Sequence, residues 1–250
     1  MGFKIYNKES LKVFPKAIIF DTDNTLYPYL PAHRAATKAL ALKANKLLGV
    51  PSELFNEKLK EARMHVKQRL SETASSHSRL LYIQRSIELL GIKSQLLLTL
   101  DLEQTYWRTF LQSCELFPGI KELLLNLQEL KIQTAIITDL TSQIQFRKII
   151  FFGLEDLFDF IVTSEESGSD KPKPESFKLL IEKLNLSPHE CWMIGDNLNA
   201  DIKGANEFGL VSIHKTPDRF NQKYNEILPD ASFYDFNSIN NYITKFKLNL

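Results

Sequence analysis

Apolar and polar positions follow two rhythms along this chain, and the rhythm changes twice. Ala17-Ile18-Ile19-Phe20 is an apolar run too short for a helix, ending at once in polar residues. Runs of that kind read as buried strands of a parallel sheet. From residue 32 onward the pattern is helical. Helices are expected over 32–48, stopped by Gly49, and over 51–70, opened by Pro51-Ser52-Glu53. After a polar loop at 71–78, further helices are expected over 79–90, ended by Gly91, and over 94–111. Four helices with short links predict a small bundle.

Pro118-Gly119 opens a second regime in which strand and helix alternate. A helix over 120–130 leads to a strand over 133–137, and a helix over 142–152 to a strand over 158–162. The helix expected at 174–184 precedes a strand at 191–194, and one at 199–208 precedes a strand at 210–213. A strand near Ala231 and a last helix complete the expected elements. Alternation of this kind predicts an α/β fold, a doubly wound (Rossmann-like) parallel sheet with helices on both faces. The bundle interrupts that core just after its first strand. Residues 1–27 and 113–250 are therefore expected to form the α/β core domain, and 28–112 an inserted four-helix cap over its active edge.

Composition narrows the function classes. In 250 residues, 44% hydrophobic and 24% charged content is ordinary for a globular chain. The 31 basic and 30 acidic residues leave a formal charge of +1, which argues against a nucleic-acid polymer or an acidic membrane as partner. Cys114 and Cys191 are far apart and lack metal-ligand spacing, so free thiols in a reducing compartment are expected. The N-terminus has no long apolar stretch, and the run around 96–102 is too short to span a bilayer and carries Asp101. A cytoplasmic location, as monomer or homodimer, is the expectation.

The candidate chemistry sits where predicted strands end. In open α/β sheets, ligands bind beyond the carboxyl ends of the strands. Asp21 and Asp23 follow the first strand at i and i+2, close enough to share a metal ion. As a calcium loop the segment fails, because Leu26 stands where Gly is needed and Ala32 where Glu is needed. An ordinary turn would also use Asp, Asn and Thr. Three further segments change the balance. Thr138 ends the strand over 133–137 and is followed by Asp139. Lys171 lies in the proline-stiffened loop Lys171-Pro172-Lys173-Pro174. Asp196 follows Met193-Ile194-Gly195, with Asp201 five residues later.

In this order the four segments resemble the haloacid dehalogenase superfamily: Asp-x-Asp-x-Thr, a strand-end Thr, Lys with Pro, and Gly-Asp-x-x-x-x-Asp. The helical insertion resembles the subgroup with a helical cap of the first type, and Asp21 to Pro28 resembles pyrimidine nucleotidases. Thr25 resembles the phosphatase and ATPase branches. Asp139 departs from the frequent Asn, so a second acid would sit beside the phosphate unless it turns away.

The resemblance implies a Mg²⁺-dependent phosphomonoester hydrolase working on a small phosphorylated metabolite, with a nucleoside monophosphate among the candidates. Asp21 is then the nucleophile that forms a phosphoaspartyl intermediate, and Asp23 the acid and base. Thr138, Asp139 and Lys171 hold the phosphate. Asp21, the Asp23 carbonyl and Asp196 are implied to bind the metal, with Asp201 either a direct ligand or an orienter of Lys171. Tyr27, Tyr29, His33, Arg34 and the loop 75–79 are the groups expected to choose the substrate. A phosphotransferase or a dehalogenase on the same fold, and a non-catalytic phosphate-binding regulatory module, remain as alternatives.

Overall fold

The computed structural model describes residues 2–217 and 224–248. The stretch 216–250, for which the sequence suggests no function, is thus described only in part; 218–223 and 249–250 lie outside the described residues. The described chain forms two compact units, residues 1–27 with 116–250, and residues 28–115.

The first unit is built on a sheet of β1 (Phe3–Ile5), β2 (Ala17–Phe20), β3 (Gln133–Thr138), β4 (Phe160–Thr163), β5 (Cys191–Gly195), β6 (Val211–Lys215) and β7 (Ala231–Phe233). Their spatial order is β1-β7-β6-β5-β2-β3-β4. All neighbouring pairs are parallel except β1 with β7. β1 was not expected from the sequence; Phe3-Lys4-Ile5 is too short a pattern, and only pairing with β7 makes it a strand. The chain runs outward from β2 through β3 to β4, then returns to β5 on the other side of β2. β2 is therefore the switch point, where two crossovers diverge and leave a crevice at the strands' carboxyl ends.

The second unit holds α1 (Tyr29–Leu48), α2 (Ser52–Leu70), α3 (Arg79–Leu89) and α4 (Leu96–Gln112). α1 packs on α2 and α4, and α3 on α2 and α4, closing a four-helix ring. α1 begins three residues before the expected start, at Tyr29. Its buried stripe Ala32, Ala36, Leu40 and Ala44 repeats every four residues, as one face of a helix must. The helix stops at Gly49, which takes a left-handed φ of 68°.

Around the sheet stand α5 (Ile120–Glu129), α6 (Ser142–Phe152), α7 (Ser164–Ser167), α8 (Pro174–Leu184), α9 (Gly204–Phe208) and α10 (Phe236–Leu248). Strand alternation sends side chains to opposite faces. Ala17, Ile19, Ala135, Ile137, Val162, Cys191 and Met193 meet Phe177, Leu180 and Leu184 of α8 in one core cluster. On the opposite face Trp192 meets Tyr242 of α10, and Phe20 meets Phe158. The single helix expected over 199–208 is in fact a π-helical turn, Leu198–Lys203, followed by the short α9. Both the Asp201 and Ile202 amides reach the Asn197 carbonyl, widening that turn. Both cysteines are buried, and among the described residues neither forms a disulfide.

Candidate active site

Register brings the candidate residues together. Phe20 of β2 lies opposite Ile136 of β3 and Ile194 of β5. Asp21, Thr138 and Asp196 therefore emerge within a residue or two of one another along three adjacent strands. All three sit at the carboxyl edge, at the switch point.

Lys171 is the centre of the charge arrangement. It is buried, and its Nζ donates to Asp21 Oδ1 at 2.7 Å, Asp201 Oδ1 at 2.6 Å and the Ile137 carbonyl at 3.1 Å. Asp201 Oδ2 accepts the Asn197 amide at 3.0 Å, so both of its oxygens are engaged. Carboxylate oxygens of Asp21, Asp196 and Asp201 lie within 4.8 Å of one another. Burial pushes Asp21 up to about 7, against the pull of Lys171. Burial and then the neighbouring Asp21 bring Asp196 to about 7 as well. Asp201 is also raised by burial, with Lys171 opposing. Burial works against the charge on Lys171, yet Asp201 and Asp21 hold it well above the ordinary lysine value. Lys171, joined at Asp196 by the field of Lys215, faces three crowded carboxylates, an excess of negative charge that a cation would relieve.

Gly195 makes the crowding possible. A Cβ there would lie 2.3–2.4 Å from the Asp201 side chain, overlapping its carboxylate. Below the site, His214 Nε2 meets the Asp196 carbonyl at 2.9 Å and Nδ1 meets the Tyr224 hydroxyl at 2.7 Å. A carbonyl only accepts, so Nε2 carries the proton, and burial lowers the His214 pKa in favour of the neutral ring.

The Thr138 hydroxyl accepts from Gln145 Nε2 at 2.7 Å and lies 2.7 Å from the Thr22 hydroxyl. The Asp139 carboxylate turns to the lysine loop, accepting the Lys171 amide at 3.0 Å. Burial lifts its pKa to about 6, against Lys171. Asp23 lies on the other side of the same turn. Its Oδ1 accepts from Lys148 Nζ at 2.8 Å and from the Tyr27 hydroxyl. Tyr27 is buried, its ring beside Phe152.

Gln145, Lys148, Thr22 and His214 escaped the sequence reading. Gln145 and Lys148 are three apart on α6, hence on one face, and both are buried. In the sequence they look like the polar edge of an amphipathic helix; only burial reveals that this edge points inward. Glu165 accepts the Ser142 amide at 2.8 Å, at the start of α6. In the helical unit Tyr29 stacks on His33, and Arg79 bonds the Tyr29 hydroxyl. Arg34 is exposed.

A doubly wound, mostly parallel sheet with a carboxylate–lysine cluster at its switch point makes this a Rossmann-like α/β protein with a site at the strands' carboxyl ends. The chain matches the pattern of the haloacid dehalogenase-like hydrolases over residues 15–209 and belongs to that family. It is 41% identical over 199 residues to a ribulose-1,5-bisphosphate 5-phosphatase of Halopiger xanaduensis, covering 79% of this chain and 83% of that one. A glyceraldehyde 3-phosphate phosphatase of Methanopyrus kandleri is 29% identical over 198 residues, 79% and 82% of the two chains. The fold is shared with the 2-haloacid dehalogenase of Pseudomonas syringae pv. Tomato, at a TM-score of 0.76 and 21% identity over 93% of this chain and 99% of that one. The protein is an enzyme of this family, a phosphatase. Among the described residues, no helix is long and apolar enough to cross a membrane.

Proposed function

We propose that the protein hydrolyses the phosphomonoester of a small phosphorylated sugar or polyol through a phosphoaspartyl intermediate on Asp21. The observation that carries this is the buried Asp21–Lys171–Asp201 arrangement beside Asp196, at the carboxyl ends of β2 and β5. The relatives named for ribulose bisphosphate and glyceraldehyde phosphate favour a sugar over a nucleoside monophosphate.

An all-oxygen donor set with excess negative charge suits Mg²⁺. Asp21, Asp196 and the main-chain carbonyl of Asp23 would hold it. Asp201, with both oxygens committed, serves to orient Lys171. When bound, the cation neutralises charge on the phosphoryl oxygens and admits a dianion to the site.

An oxygen of Asp21 attacks phosphorus, and the bond from phosphorus to the ester oxygen breaks with its electron pair leaving on that oxygen. Asp23 delivers the proton that the departing alkoxide needs. Asp23 then takes a proton from water as the water attacks phosphorus, and the bond from phosphorus to Asp21 breaks to release inorganic phosphate. Lys171, its three N–H groups engaged by Asp21, Asp201 and the Ile137 carbonyl, keeps its positive charge beside the phosphoryl group throughout. Thr138 accepts from Gln145, and if Thr22 donates to it as well, its own proton is left for the phosphate. Asp139, its carboxylate tied to the Lys171 amide, contributes through its main chain. A halide leaving group would need no acid, so Asp23, held by Lys148 and Tyr27, supports an oxygen leaving group.

The test is Asp21→Asn assayed on p-nitrophenyl phosphate with Mg²⁺. Turnover is expected to vanish while the circular dichroism spectrum stays unchanged. Undiminished turnover discards the nucleophile; halide release from a 2-haloacid by the wild-type protein discards the phosphatase chemistry.

A further inference from the structure

β5 and β6 pair in parallel as far as Gly195, which lies opposite His214. Asp196 is the first residue past that ladder, and no backbone amide among the described residues donates to its carbonyl. The His214 side chain fills that place. It is buried, and its Nε2 donates to the Asp196 carbonyl at 2.9 Å. An imidazole thus adds the hydrogen bond with which the two strands themselves do not continue. The ring has a second support. With the proton on Nε2, Nδ1 keeps its lone pair and accepts from the Tyr224 hydroxyl at 2.7 Å.

Tyr224 is itself tied to the edge of the sheet. Its ring meets that of Tyr6 edge-on, with 5.2 Å between centroids, and the Tyr6 hydroxyl lies 3.1 Å from that of Ser232 on β7. Among the described residues neither ring nitrogen of His214 meets a carboxylate, so its task is not an ion pair. An apolar side chain would fill the same volume without the desolvation cost of two ring nitrogens. What it could not supply is a directed bond. That bond falls on the main chain of Asp196, whose carboxylate stands with those of Asp21 and Asp201 within 4.8 Å. A fixed peptide fixes the Cα–Cβ direction and leaves only the side-chain torsions to be set. At the carboxylate end Asn24 is a hydrogen-bond partner.

We infer that His214, held in its donor tautomer by Tyr224, is a positioning residue for Asp196, and that the pair sets how tightly the acid cluster takes a divalent cation. The inference rests on the reading of Asp196 as a metal ligand. It gives a task to part of the chain after β6, for which the sequence suggests none. Partners that orient a metal ligand from behind change metal affinity by about ten- to a hundredfold when they are lost.

The probe is Mg²⁺ alone, titrated calorimetrically at constant pH into the full-length protein without substrate, so that no turnover enters the reading. Asp196→Asn identifies the site and should abolish the binding seen with the wild type. His214→Phe keeps a ring in place and removes the donor, and the dissociation constant should rise about ten- to a hundredfold. His214→Gln places an amide N–H near the former Nε2 and should recover most of the affinity. Tyr224→Phe removes only the hydroxyl and should weaken binding about two- to tenfold, the worth of one ordinary hydrogen bond. Urea midpoints of the same variants separate folding from positioning. A residue that merely fills space lowers the midpoint and leaves the dissociation constant where it was. That result in His214→Phe, or in Tyr224→Phe where His214→Phe does not fold, overturns the inference, as does a His214→Gln variant as weak as His214→Phe. Wild-type protein that takes no Mg²⁺, or an Asp196→Asn variant that takes it equally well, is a different failure: it overturns the metal reading, and the inference with it.

Discussion

Asp201 and Gly195 show how much a single atom decides at this site. The Asp201 carboxylate occupies the space where any Cβ at position 195 would stand. Gly195→Ala must push Asp201 away or bend β5, at a cost of about 1–3 kcal/mol for overpacking. The expected result is a lower midpoint in urea together with loss of most phosphatase turnover, since Lys171 loses its orienting partner. Retention of both would show that Asp201 moves freely. Lys148 makes the same point for Asp23. It is buried, ion-paired to Asp23 at 2.8 Å and 5.6 Å from the centroid of the Tyr27 ring. Lys148→Met keeps the volume and removes the tether. We expect kcat on p-nitrophenyl phosphate to fall by about ten- to a hundredfold, the usual range for partners that orient a working group. An unchanged kcat would leave Lys148 a structural residue only.

At the scale of elements, helices α6 and α8 brace the two sides of the site. α6 turns one face inward, Gln145 toward Thr138 and Lys148 toward Asp23. α8 begins directly after the Lys171 loop, and its Phe177 ring lies where a Cβ on Gly204 would come within 2.7 Å, with Pro172 of the loop at 3.3 Å from the same point. Phe177 is fully buried in the cluster that joins β2, β3 and β5. Phe177→Ala should cost about 3–5 kcal/mol, read by chemical denaturation. Because α8 continues directly from the Lys171 loop, kcat should fall even where the variant remains folded; a stability loss with kcat intact would separate the loop from its helix. The sequence predicted the strands and helices around this site closely, because short apolar runs, Gly stops and Pro starts are local signals. It did not predict β1, which exists only as a partner of β7. Nor did it predict the π-turn at Leu198–Lys203, which is shaped by Asn197 and Asp201.

For the whole molecule, the clustered acids couple folding to pH, and to a divalent cation if the proposed site takes one. Asp21 and Asp196 each stand near 7 in the folded chain, against an ordinary value of 3.8. Folding thus favours their protonated forms, and the stability they contribute is complete below about pH 4 and lost as pH rises through about 7. A divalent cation needs the deprotonated carboxylates, so it competes with protons at low pH and offsets the repulsion at high pH. Addition of Mg²⁺ should therefore raise the melting temperature more at about pH 8 than at about pH 5.5. Thermal denaturation with and without Mg²⁺ at the two values checks this, and an equal or larger rise at the lower pH contradicts it.

The sequence alone determined the α/β class and the helical insertion and singled out the acids, the threonine and the lysine as candidates, because strand periodicity and the residues that end strands are local properties. Only the tertiary structure decided what those residues do to one another. Parallel register carries Asp21, Thr138 and Asp196 to one edge, and Lys171 crosses to them from a loop 150 residues from Asp21. It likewise turned Asp139 toward the lysine loop and buried Gln145 and Lys148 under the site. In the helical unit it left Thr37 Oγ1 and Asn56 Oδ1 buried beside a cavity, without a hydrogen-bond partner among the described residues. Hydrogen bonds and burial depend on which distant segments meet, and no local pattern of apolar and polar residues encodes that meeting.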